Sequence, residues 1–241
     1  MASSDRPRHC LVTGANRGLG LEFVRQLLAR GDRVIATARQ PGRANDLNRL
    51  VGENPGRLHV LPLDVAAPRS HAELVRELPL LADGDAAEPI DLLINNAGVL
   101  HSGERFGSVG FENLDDSLRT NASGPFLLTQ ALAGSLADGA TVANLSSRLG
   151  SISSTGGFGT PTYAISKAAL NMATVLLAHA LSERDITVVA LHPGWVRTEM
   201  GGASAEIEPR DAVSAMLALI GRLARDDSGS FLDRHGTAVL W

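Results

Sequence analysis

Residues 12–31 read VTGANRGLGLEFVRQLLARG, and this stretch decides the fold. The apolar run HCLVTG (9–14) has the character of a strand ending near Thr13, and an amphipathic helical pattern occupies 18–30. Gly14, Gly18 and Gly20 lie between them. Glycines let the backbone turn tightly and approach a pyrophosphate, whose charge then meets the amide groups and partial positive charge of the helix N-terminus. Any tight strand-to-helix turn can use such a triplet, so the context carries the reading: strand, turn and helix coincide in the first unit of the chain. The stretch is read as a nucleotide-binding loop.

Outward from this unit the pattern repeats. Short β-rich apolar runs follow at 33–38, 58–63, 91–96, 141–146, 186–192 and 237–241, and helical patterns at 70–82, 111–136, 162–182 and 209–224. Continuous apolar strands suit a parallel sheet buried on both faces, and their alternation with helices predicts a doubly wound (Rossmann) α/β fold with a seven-stranded parallel sheet flanked by helices. Right-handed crossovers put ligand sites at the carboxyl ends of the strands. No linker or charge block divides the 241 residues, so one domain, 1–241, is expected. The segment GSISSTGGFGTP (150–161) reads as a long functional loop, and LADGDAAEP (81–89) as a solvated connection.

Composition excludes several classes. With 44% hydrophobic and 20% charged residues the chain can bury a sizeable core. A net charge of -4 and scattered arginines argue against nucleic-acid binding. The single Cys10 excludes an internal disulfide, no histidine pair has metal-ligand spacing backed by acids, and no metal is expected. The polar start MASSDRPRH and the lack of a long apolar run predict a cytoplasmic protein with no membrane span. The helices around 114–136 and 162–182 are apolar on more than one face, which means burial within the monomer or a helix-pair interface; a homodimer or homotetramer is expected.

The second strand bears on which nucleotide binds. A carboxylate at its end would bind the ribose 2′-hydroxyl of NAD, but VIATARQPGR (34–43) offers Ala38 and then Arg39. Arg39 and Arg17 can instead bind a 2′-phosphate, which favours NADP(H) over NAD(H). Asp64, in LPLDV, can accept a hydrogen bond from an adenine amino group or serve as an acid near a helix start.

The segment GTPTYAISKAALN (159–171) holds the only tyrosine, Tyr163, and the only lysine, Lys167, in a chain with 22 lysines plus arginines. Arginine stays protonated, whereas lysine is a compact ammonium whose pKa its surroundings can move. Chance juxtaposition is the plain alternative to a site that needs an amine.

TGANRGLG (13–20), NNAG (95–98), Asn121 in RTNASGPF, NLSS (144–147), YAISK (163–167) and HPGWVRTEMGG (192–202) together resemble the short-chain dehydrogenase/reductase family almost end to end. SSRLGSI (146–152), HPGWVRTEMGG and GSFLDRHGTAVLW (229–241) resemble its C-factor and sniffer-type carbonyl reductase branch. The resemblance implies a catalytic tetrad of Asn121, Ser147, Tyr163 and Lys167. Tyr163 would exchange the proton, Lys167 would bring the phenol toward neutral pH and bind the nicotinamide ribose, Ser147 would hold the carbonyl oxygen, and Asn121 would anchor a relay water. It also implies a cofactor lined by Gly14, Asn16, Arg17, Gly18, Leu19, Gly20, Arg39, Asp64, Val65, Asn96, Ala97, Gly98, Tyr163, Lys167, Pro193, Gly194, Val196 and Thr198, with Thr198 bonding the carboxamide. Ser147 stands 16 residues before Tyr163, longer than the commonest family arrangement, so Ser146 rivals it. His192 reads as structural. Leu149, Ile152, Phe158, Trp195 and Met200 are expected as walls for a small-molecule carbonyl or alcohol substrate, with 199–209 as a lid. The reading is an NADPH-dependent carbonyl reductase; a cofactor-binding signalling protein of the C-factor type is the alternative.

Overall fold

The structure is a computed structural model that describes residues 7–81 and 88–241. The first six residues of the polar start, and most of the 81–89 connection, lie outside the described residues. Seven strands form one parallel sheet in the order β3-β2-β1-β4-β5-β6-β7: β1 (His9–Val12), β2 (Arg33–Ala38), β3 (Leu58–Pro62), β4 (Ile90–Asn95), β5 (Leu136–Leu145), β6 (Thr187–His192) and β7 (Phe231–Asp233). The order reverses between β1 and β4, and that switch point opens a crevice at the strand ends.

Alternation along each strand sorts side chains to two cores. Cys10, Val12, Val34, Ala36, Leu92 and Ile94 pack on one face against α1 (Gly18–Ala29), α2 (Asn45–Glu53) and α7 (Pro209–Ile220). Leu11, Ile35, Leu93, Val142 and Val188 pack on the other against α3 (Pro68–Glu77), α5 (Gly124–Leu132) and α6 (Pro161–Ala180). Burial on both faces explains why these strands read as unbroken apolar runs.

Two expectations need correction, and one helix had none. The seventh strand is Phe231–Asp233, in register with Ala190–His192, and not 237–241. Asp233 accepts the amides of His235 and Thr237 through Oδ1, and Gly236 (φ +94) completes a turn. The apolar tail therefore folds back, and Ala238 makes only an antiparallel bridge to Leu232. The 111–136 pattern is α4 (Phe111–Leu118), a wide π-type turn (Arg119–Ser123) and α5. Pro125 has no N–H to give the carbonyl of Asn121 four residues back, and the helix widens there. Gly124 fits because a Cβ would stand 2.6 Å from the Val65 carbonyl oxygen. Finally, α2 has no counterpart in the sequence reading, since only Leu47 and Leu50 of its nine residues are buried.

Candidate active site

At the carboxyl ends of β1, β4, β5 and β6 lies a cavity of about 400 Å³. One end is the glycine turn. Gly14 (φ +62) and Gly18 (φ +54) adopt the left-handed conformation that favours glycine, and a Cβ on Gly14 would lie 2.8 Å from the Ala97 Cα. Arg17 precedes α1 in an extended conformation with no side-chain cap, so the first amides of α1 remain available to an anion. The turn is fastened to the NNAG segment: Thr13 Oγ1 accepts the amides of Asn96 and Ala97 at 3.0 Å, and Asn96 Nδ2 donates to the Thr13 carbonyl at 2.9 Å.

Of the expected cofactor residues, all but Gly20 line this cavity, and Ser146 and Ser147 line it too. Gly20 sits behind the wall, where a Cβ would stand 2.9 Å from the Ala15 Cα; it permits close packing and offers no surface to a ligand. Arg39 is exposed at the cavity with no ion-pair partner among the described residues, whereas Arg17 is paired with Glu199. Thr198 lines the cavity, but its hydroxyl closes its own turn, accepting the Gly201 amide at 3.1 Å. The 199–209 segment is held by a bridge from Val196 to Ile207 and by Arg197 donating to the Ala205 carbonyl at 3.1 Å.

Tyr163 and Lys167, one turn apart on α6, meet Ser147 at the other end of the cavity. Lys167 Nζ lies 5.5 Å from the centre of the Tyr163 ring and donates to the Leu145 carbonyl at 2.7 Å. Burial pulls Lys167 down to about 8. Burial also pushes Tyr163 up to about 12, opposed by a hydrogen bond with Ser147. Desolvation of the phenolate is the larger cause, so the phenol lies above its ordinary value and not nearer neutral pH, the direction the family resemblance implies. At neutral pH the phenol therefore carries its proton. Burial and the Arg148 charge lower His192 to about 4, so it is neutral at neutral pH, and its Nδ1 accepts the Arg148 amide at 3.3 Å.

The two serines differ in their surroundings. Ser146 is buried and donates to Asn171 Oδ1 at 2.6 Å, while Ser147 is the one that meets the Tyr163 phenol. Sequence reading missed Asn171, which also donates to the Gly150 carbonyl at 3.2 Å and pins the loop after Ser147 to α6. Asn121 does not face the cavity. Its side chain is buried, accepts the Val99 amide at 2.8 Å, and donates at 2.9 Å to the Val99 carbonyl and to Ser166. Of the expected walls, Leu149, Trp195 and Met200 line the cavity; Ile152 and Phe158 are exposed outside it, with Phe158 edge-on to Phe106 at 5.7 Å. Among the described residues, no group of three or more His, Cys, Asp or Glu is placed to hold a metal ion, and no helix is long and apolar enough to cross a membrane.

The family model for short chain dehydrogenases matches residues 8–208. The chain belongs to the short-chain dehydrogenase family. The dehydrogenase is 41% identical over 155 residues to the C-signal of Myxococcus xanthus, a match covering 64% of this chain and 93% of that one. Carbonyl reductase Sniffer of D. melanogaster superposes with a TM-score of 0.91 at 31% identity, covering 98% of this chain and 100% of that one. An NADPH-bound carbonyl reductase from chicken fatty liver superposes equally well, with a TM-score of 0.91, 36% identity and the same coverage of 98% and 100%. Within the family, this dehydrogenase is an oxidoreductase of the C-factor and sniffer type.

Proposed function

We propose that the protein is an NADPH-dependent carbonyl reductase that reduces aldehydes or ketones with Tyr163 as proton donor. The observation that carries the reading is one cavity with the glycine turn and two arginines at one end and Ser147, Tyr163 and Lys167 at the other. The fit to the cofactor rests on the glycine cradle, where a Cβ on Gly14 would stand 2.8 Å from Ala97, and on the lack of a carboxylate in residues 34–43, where β2 ends. The cofactor, when bound, supplies the hydride. Gly14, Asn16, Gly18 and Leu19 would hold its diphosphate, Arg39 and Arg17 its 2′-phosphate, Asp64 and Val65 its adenine, and Asn96 to Gly98, Pro193, Gly194, Val196 and Thr198 its nicotinamide half. The NADPH-bound chicken relative supports this preference.

The rest is done by the chain. Ser147 donates to the substrate carbonyl oxygen and Tyr163 gives that oxygen its proton. Lys167 holds the ribose and keeps positive charge behind the phenol. The Asn121 carbonyl, deprived of an α-helical donor by Pro125, is the group able to hold a relay water; its side chain acts as a clamp. Leu149, Trp195 and Met200 suit an apolar carbonyl compound. Exposed Leu127, Ile165, Met172 and Leu176 on α5 and α6 support a homo-oligomer, and one buried, unpaired cysteine suits the cytosol.

The test is a fluorescence titration with NADPH and NADH on wild type and Arg39→Asp. The reading expects tight NADPH binding that collapses in the variant; equal binding of NADH overturns the cofactor assignment. The identity to the C-signal favours a second reading, a cofactor-binding signalling protein. A Tyr163→Phe variant that keeps full biological effect would support that reading over the reductase.

A further inference from the structure

Helix α6 starts under an unusual constraint. Thr160, its N-cap, is a β-branched residue in the left-handed conformation (φ 43) and provides no side-chain cap. Pro161 follows and has no N–H, so the first amide needing a partner is that of Thr162, next to Tyr163. That partner comes from far away in sequence. Glu104 Oε2 accepts the Thr162 amide at 3.3 Å and the Thr162 hydroxyl at 2.9 Å, while Asn113 approaches Oε1 at 3.5 Å. Thr162 is fully buried, and Ser117 of α4 donates to its hydroxyl at 3.3 Å.

Glu104 belongs to the loop 98–110, whose residues Gly98, Val99 and Leu100 line the cavity. The loop is fastened at its other end by the Asn121 clamp on Val99, and that clamp reaches Ser166, whose hydroxyl donates to the Tyr163 carbonyl at 2.8 Å. Phe106 and Phe158 close the gap between the two loops beside the helix start. We propose that Glu104 is a positioning residue: by capping α6 from the opposite loop it fixes the first turn, and with it the Tyr163 side chain, against the substrate wall. A carboxylate also suits the positive end of a helix, which makes the acid a better cap than a neutral hydroxyl.

The inference rests on Tyr163 as the proton donor, yet it can be tested apart from catalysis because Tyr163 is the only tyrosine. In protein labelled with 13C at the tyrosine ζ carbon, one resonance reports this side chain. Glu104→Ala, Glu104→Gln and Thr162→Val are compared with wild type for that resonance and its pH titration, for NADPH affinity, and for kcat and KM on a carbonyl substrate. Expected are a displaced or broadened resonance in Glu104→Ala, a kcat lower by about 10- to 100-fold with NADPH affinity unchanged, and a near-normal resonance and rate in Glu104→Gln, which keeps an acceptor. Thr162→Val, which keeps the amide bond, should fall between and serves if Glu104→Ala does not fold. An unchanged resonance in both Glu104→Ala and Thr162→Val overturns the inference, as does a rate loss without any change at Tyr163. A displaced resonance in Glu104→Ala, together with a wild-type protein that reduces no carbonyl, would leave the inference standing and sink the reductase reading.

Discussion

Lys167 is the buried cation of a chain that elsewhere uses arginine, and burial makes it both useful and costly. Lowering its pKa from 10.5 to about 8 corresponds to about 3 kcal/mol against the ammonium. Lys167→Met removes this cost, although the Leu145 carbonyl then loses its donor at about 1–3 kcal/mol. The expected result is a melting temperature equal to or above wild type, with carbonyl reduction lost; a clear drop in melting temperature would contradict it. The same value sets a pH limit on activity. Tyr163, at about 12, keeps its proton throughout the working range, so reductive kcat should be level up to about pH 8 and fall above it as Lys167 loses its charge. The Tyr163–Lys167 pair was legible because residue type and spacing carry its chemistry. For the serines the family resemblance already favoured Ser147; what it did not disclose was the bond from Ser146 to Asn171, 25 residues away and visible only once α6 is packed against β5.

Among elements, α6 does the most positioning. It receives Glu104 at its start, the Asn121 clamp through Ser166, and the loop after Ser147 through Gly150. A Cβ on Gly150 would stand 2.7 Å from the backbone carbon and Cβ of Lys167, so Gly150→Ala must push the loop off the helix. We expect a loss of about 1–3 kcal/mol in denaturant unfolding and a fall in kcat larger than the change in NADPH affinity. An activity loss without destabilisation would argue against that contact. Periodicity disclosed α6 as a helix and β1 to β6 as strands. It misplaced the seventh strand because TAVLW is the longer apolar run, while FLD is a three-residue edge strand fixed by the Asp233 turn that follows it. The π-type turn carried a local signal, Pro125 after Gly124, whose effect depends on Val65 pressing against it from another segment.

For the whole molecule, buried titratable groups shape stability against pH. His192 titrates at 6.5 unfolded and about 4 folded, so the unfolded chain binds more protons between these values and stability falls as pH drops through that window. Lys167, at 10.5 unfolded and about 8 folded, gives the same sign higher up: its cost is complete below about 8 and is relieved as pH rises toward 10.5. Tyr163 is opposite, raised from 10.0 to about 12, so the folded state binds more protons there and stability falls above pH 10. Denaturant unfolding across pH should therefore lose stability on the acid side and gain it between about pH 8 and 10, and Lys167→Met should lose the alkaline gain. The doubly wound sheet was legible from alternation, because buried parallel strands leave a continuous apolar trace, whereas the point where the strand order reverses appears only in the folded sheet. Substrate identity and oligomer size were not legible, since they depend on what would meet exposed side chains such as Trp195 and Met172, and exposure alone does not name it.

The most direct measurement is NADPH-dependent reduction of a broad panel of aldehydes and ketones by wild type and Tyr163→Phe, with NADPH affinity measured on both. The account predicts turnover by wild type, unchanged cofactor binding in the variant, and a kcat lower by about 10²- to 10⁴-fold. A variant that reduces its best substrate as fast as wild type would contradict the assignment of Tyr163 as proton donor.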